Sequence, residues 1–195
     1  NSRRDINDNI MGTLFVDKLD PQSGTSLEIG SSGDTITIPS GATITNNGTQ
    51  TGFGGDNTPF FRAYLSSNQS IANGTRTLIT FNAESFDASS AYNTSNGRFT
   101  PQTAGYYFIS AQLKTDTATN FEGVKLYIRK NGTELAETSA FNDGYNSTFS
   151  SLLVQMNGSS DYIDIAGNQN SGGAIDLDGG SDGKKNFFQA FKIIT

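Results

Sequence analysis

The sequence predicts an all-β fold: a sandwich or jelly-roll head preceded by an elongated β-rich shaft or arm. Three observations carry that reading. No segment shows a capped apolar stripe of helical period. Beyond Asn57 apolar residues alternate with the period of a strand between Asn-Gly and Gly-rich turns. Phe and Tyr crowd into the part after about Pro59, whereas residues 20–58 are mostly Gly, Ser, Thr, Asn and Asp. Two regions follow, 1–56 and 57–195, the first an attachment shaft or arm and the second the head.

In the first region apolar residues occur as short alternating pairs, Leu14 with Val16, Leu27 with Ile29, Ile36 with Ile38, and Ala42 with Ile44. They are expected to form strands of three to five residues, separated by turns at Asp20–Gly24, Gly30–Asp34 and Pro39–Gly41. Two apolar side chains per strand cannot enclose a core within one chain. Each buried Leu or Ile contributes roughly 1.5–3 kcal/mol, against about 1–2 kcal/mol of backbone entropy per ordered residue. Three chains wound together can meet that cost.

In the second region Thr77–Phe81 alternates, and Val124, Leu126 and Ile128 share one face of a strand that runs into Asn131-Gly132, a strong hairpin signal. Ser151–Met156 precedes Asn157-Gly158, and Tyr162–Ile165 opens another strand. Two strands are apolar on both faces. From Tyr106 to Leu113, one side presents Tyr107, Ile109, Ala111 and Leu113, and the other begins with Tyr106 and Phe108. From Asn186 to Ile194, Phe187, Phe188, Phe191, Ile193 and Ile194 spread over both sides. A two-layer sandwich covers only one face of a strand, so the second is expected to meet a neighbouring copy.

Of the 195 residues 34% are hydrophobic, a thin supply for one core spanning the whole chain, and the formal charge is −6. Lys and Arg never run beyond a pair, which leaves no footprint for phosphate backbones, so no nucleic acid is expected. No apolar stretch approaches a bilayer span, and Asn1–Ile10 is charged unlike a signal segment, so no membrane insertion is expected. Cys, His and Trp are absent, which excludes disulfides, thiolates and imidazole acid–base chemistry. No enzyme activity is expected, and no catalytic, cofactor-binding or metal-binding residue is assigned.

The acidic loop Asp176–Asp182 offers carboxylates for a hard cation, but lacks the closing Glu of an EF-hand; its Asp and Gly are also what a β-turn prefers, and Asn142-Asp143-Gly144 reads the same way. Asn-x-Ser/Thr triplets, among them those at Asn47, Asn68 and Asn131, arise from composition and carry no function. Glu84, Asp87, Asp161 and Asp164 are the nearest approach to the paired carboxylates that glycan cleavage requires. Tyr92 and Tyr145, with neighbouring Asn and Asp, suit sugar stacking and hydrogen bonding.

Residues 81–107 carry a distinctive spacing: Phe81, five residues, Asp87, four, Tyr92, six, Phe99, five, Gly105, one, Tyr107. This resembles the C1q-domain signature, departing from it at Ile109 and Ala111, where aromatics are usual. Leu126–Gly132, Leu152–Ile165 and Phe187–Ile193 resemble later elements of that family. The resemblance covers about residues 57–195, with 87–97 and 167–185 as variable loops. It implies a ten-stranded C1q/tumour-necrosis-factor-like jelly roll that forms a homotrimer and binds partners without catalysis.

Gly33–Ile44, running into Thr51–Gly55, resembles shaft segments of tailed-bacteriophage structural proteins, notably those of marine and cyanobacterial hosts. Collagen-type Gly-X-Y triplets, common beside animal C1q heads, are absent. The expected function is a trimeric fibre tip on the virion surface, contacting other virion proteins through residues 1–56 and a host-surface glycan or protein through the head. The alternatives are a capsid decoration protein, a bacterial surface adhesin and a fibre-borne glycan hydrolase.

Overall fold

The computed structural model describes residues 18–48, 57–119, 123–139 and 144–193, with the backbone alone for 117–119 and 144–146. The chain divides into two units, Asn1–Gln50 and Thr51–Thr195.

In the first unit, residues 18–48 make turns where they are expected. Asp34 N–H donates to Ser31 O at 3.0 Å and Ala42 N–H to Pro39 O at 3.1 Å. Gly30, Gly33 and Gly41 hold positive φ at these corners, a region that glycine enters without strain. The strands expected between the turns do not form a ladder: residues 18–48 contain no paired strand. Leu27, Ile29, Ile36, Ile38 and Ile44 are all exposed. Alternation alone does not make a strand; a partner must supply the hydrogen bonds and cover the side chains. The pair Leu14 and Val16 lies outside the described residues.

The second unit is all-β. Its strands are β1 (Phe60–Tyr64), β2 (Gln69–Ile71), β3 (Thr77–Leu78), β4 (Ala83–Asp87), β5 (Tyr92–Asn93), β6 (Arg98–Phe99) and β7 (Gly105–Thr119). Then follow β8 (Val124–Lys130), β9 (Thr133–Ser139), β10 (Gly144–Met156), β11 (Ile163–Gln169), β12 (Ile175–Leu177) and β13 (Phe187–Lys192). One sheet runs β2-β12-β7-β13-β1-β4, with β10 also paired to β7; the other runs β5-β6-β11-β8-β9, with β3 also on β11. Every ladder between these strands is antiparallel. Chain neighbours therefore often lie in opposite sheets, as in a jelly roll.

The core lies between the sheets. Phe61 stacks on Tyr92 at 4.8 Å and on Phe99 at 4.7 Å, and meets Phe188 edge-on at 4.8 Å. Around this aromatic centre Ile109, Leu113, Leu126, Ile128, Ile163 and Ile165 are fully buried. Two tight turns join strands, one within a sheet and one between the two sheets. Asn131 and Gly132 both take positive φ between β8 and β9, the backbone that a two-residue hairpin requires. At Asn157-Gly158 the Asn157 Oδ1 accepts from the N–H groups of Ser159, Ser160 and Asp161. A Cβ on Gly158 would stand 2.1 Å from Ala104 N.

Three expectations are corrected. The stretch 87–97, expected as a variable loop, also contains the two-residue strand β5 and sends Tyr92 into the aromatic centre. The stretch 167–185 contains the end of β11 and all of β12, which closes the sheet between β2 and Thr115. The described residues form thirteen strands rather than ten, because β2, β3, β5, β6 and β12 stand as separate segments of only two or three residues.

Candidate assembly interface

Four adjacent strands, β1, β13, β7 and β10, carry the feature that sets this head apart. One side of each faces the core, through Phe61 and Ala63 on β1, Phe188 and Ala190 on β13, Tyr107, Ile109 and Ala111 on β7, and Val154 and Met156 on β10. The other side is ordered by the ladder register into three rows. Phe60 lies opposite Phe191, Phe191 opposite Phe108, and Phe108 opposite Leu153. Next comes Arg62 opposite Gln189, then Ser110, then Ser151. The third row is Tyr64, Phe187, Gln112 and Phe149.

The face is apolar and open. Phe60, Phe86, Tyr106, Phe149, Leu153 and Phe191 are between 37% and 63% exposed. Their rings are ordered against one another: Phe108 meets Phe191 at 5.5 Å, Phe60 meets Phe86 at 5.7 Å, and Phe149 meets Phe187 at 6.5 Å. At one margin Phe60, Phe86, Phe191, Gln189 and Asn57 line a shallow cleft of about 440 Å³. Scattered exposed apolar residues are ordinary, but a contiguous aromatic sheet face marks an interaction surface.

The polar middle row is tied together. Arg62 Nη1 donates to Gln189 Oε1 at 2.6 Å, and Gln189 Nε2 donates to Ser110 Oγ at 3.1 Å. Arg62 Nη2 donates to Gly183 O at 2.9 Å, and the guanidinium lies over the Phe187 ring. The expected two-faced strands are thus present with the expected sides. The polar row was not singled out in the sequence, although Arg62 alternating with Phe60 and Tyr64 is its signal.

The other candidates have structural roles. Tyr92 is 5% exposed, and its hydroxyl donates to Phe81 O at 3.1 Å; burial pushes its phenol well above the usual tyrosine range. It cannot stack on a sugar, because the ring is buried in the core, stacked on Phe61 and meeting Phe188 edge-on. The side chain of Tyr145, and Asn142-Asp143, lie outside the described residues. Asp87 accepts from the backbone N–H groups of Ser89, Ala91 and Tyr92, which explains why the signature places Asp five residues before Tyr.

The four carboxylates are not brought to one groove. Glu84 and Asp87 lie on β4 in one sheet; although Glu84 is exposed, desolvation by neighbouring parts of the chain and the nearby Asp87 push its carboxyl above the usual range. Asp164 lies on β11 in the other sheet, 2% exposed, with Arg129 Nε at 2.6 Å. Asp161 caps the turn before β11, where hydrogen bonds from Lys130 and Asn131 hold it below the usual range.

In the Asp176–Asp182 loop, Asp178 is paired with Lys114 at 3.3 Å and Lys185 at 2.9 Å, and Asp182 with Lys184 at 3.4 Å. Among the described residues no three acidic groups converge on a metal position. Asn68 donates to Asp116, and Asn131 to Asp161, so both amides brace loops.

The C1q domain family model matches residues 60–175. No curated protein matches the chain. Among solved structures the head is similar in fold to murine APRIL at pH 5.0, with 14% identity, a TM-score of 0.53 and coverage of 69% of this chain and 98% of that one. It is also similar to the globular domain of zebrafish complement 1qA, at 18% identity, a TM-score of 0.49, and 70% and 98% coverage. With the signature from Phe81 to Tyr107 folded into the aromatic centre and more than half of the chain matched, this protein belongs to the C1q domain family.

Proposed function

We propose that the chain is a homotrimeric, non-enzymatic recognition head on a virion fibre, with residues 1–56 forming the stem that joins it to other virion proteins. The open aromatic face of β1, β13, β7 and β10 carries the trimer. Domains of this family form homotrimers, and covering Phe60, Phe191, Phe149 and Leu153 with a neighbouring copy removes the apolar surface that a lone head leaves in water. The fibre context draws support from the Gly- and Ser-punctuated stem, whose exposed aliphatic residues need partners from outside one chain. The partner of the assembled head is a host-surface glycan or protein.

The same exposed aliphatics in 18–48 also suit an arm laid across shell subunits, which favours a capsid decoration protein as the second reading. Incubation of purified protein with host cells and with undecorated capsids separates the two. A fibre tip binds cells saturably and leaves capsids bare. Saturation of capsids at a defined stoichiometry, with cells unbound, overturns the fibre reading in favour of decoration.

A further inference from the structure

We propose that Arg62 is the self-recognition residue of the assembled head, its guanidinium pairing with a carboxylate of the adjacent copy across the aromatic face. The inference rests on the homotrimer reading and concerns how one copy identifies the next. Arg62 sits in the polar row between two aromatic rows. Its fork is fixed by Gln189 Oε1, by Gly183 O and by the Phe187 ring at 4.3 Å. Both oxygen partners are neutral. Arg76, Arg98 and Arg129 each have a carboxylate within 4.0 Å, and Arg62 is the one arginine among the described residues without one.

Docking an apolar surface over Phe60, Phe191 and Phe149 also takes the Arg62 charge out of water. A guanidinium in such a place is tolerated only when an anion meets it, and its planar fork suits a carboxylate held by two parallel hydrogen bonds. The own sheet does not supply that anion among the described residues. A second copy does so readily, since the chain carries 19 acidic against 13 basic residues. An ion pair set in an otherwise apolar contact admits one register and rejects surfaces lacking the partner charge, whereas aromatic rows alone tolerate sliding.

The test is dilution-driven dissociation of the full chain, followed by analytical ultracentrifugation at low and high NaCl, for wild type, Arg62→Met and Arg62→Lys. Met keeps an apolar stem over Phe187 without the charge. The expected result is a wild-type midpoint that rises with salt, an Arg62→Met midpoint at least about tenfold higher and nearly salt-independent, and an intermediate Arg62→Lys, with all three heads equally folded by circular dichroism. If Arg62→Met fails to fold, Arg62→Lys carries the test, and wild-type affinity in that variant overturns the proposal. Assembly of Arg62→Met as tight as wild type, or tighter, also overturns it, because removing an unpaired buried charge relieves the contact. A wild type that is monomeric at every concentration is a separate outcome, removing the homotrimer reading and this inference together.

Discussion

Asp87 shows how a signature residue acts at the scale of single atoms. Its two oxygens collect three backbone N–H groups, and the chain so turned delivers Tyr92 onto Phe61. The Tyr92 hydroxyl then satisfies the Phe81 carbonyl inside the core. Tyr92→Phe leaves that carbonyl without its donor and is expected to cost about 1–2 kcal/mol in urea unfolding. Gly158 is more demanding, since positive φ and the closeness of Ala104 N exclude a side chain. Gly158→Ala is expected to lower stability by more than about 1 kcal/mol, read as an earlier urea midpoint. Asp161 sets a pH dependence. Its folded pKa is depressed, foremost by Lys130 and then by Asn131, so its contribution is complete above the unfolded value of about 3.9. That contribution fades as pH falls through the lower folded value. Unfolding midpoints of Asp161→Asn are therefore expected to converge on wild type as pH drops below about 4.

At the scale of elements, strand alternation gives each side chain of β7 and β13 one of two fates. Phe188 points inward and is fully buried, whereas Phe191, three residues along, is 42% exposed. Phe188→Ala is expected to cost about 3–5 kcal/mol in the head itself. Phe191→Glu and Leu153→Asp are expected to leave the fold intact by circular dichroism and to abolish assembly by light scattering. Both sides of β7 were legible from Tyr106–Leu113, because a period of two needs no partner to be read, and Asn131-Gly132 announced its hairpin for the same local reason. What escaped depends on remote chain. β12 holds only Ile175–Leu177 and exists because Ser70 and Thr115 lie beside it. The Arg129–Asp164 pair needs the register of β8 against β11. Tyr92 suits sugar stacking by its chemistry alone, because its two-residue strand has no alternation to show that it faces the core. In residues 18–48 the alternation was visible, but the ladder it implied has no partner within those residues.

At the scale of the whole molecule, the C1q head keeps a second apolar surface that its own fold does not consume. That surface carries the proposed homotrimer, and the polar row through Arg62 gives it a definite register. The most direct test is the molar mass of the intact chain by multi-angle light scattering at micromolar concentration and moderate salt. The predicted result is a single species at three times the chain mass, reduced to one chain mass by Leu153→Asp without loss of β-sheet signal. A wild-type protein that is folded yet runs at one chain mass across the accessible concentration range would contradict it.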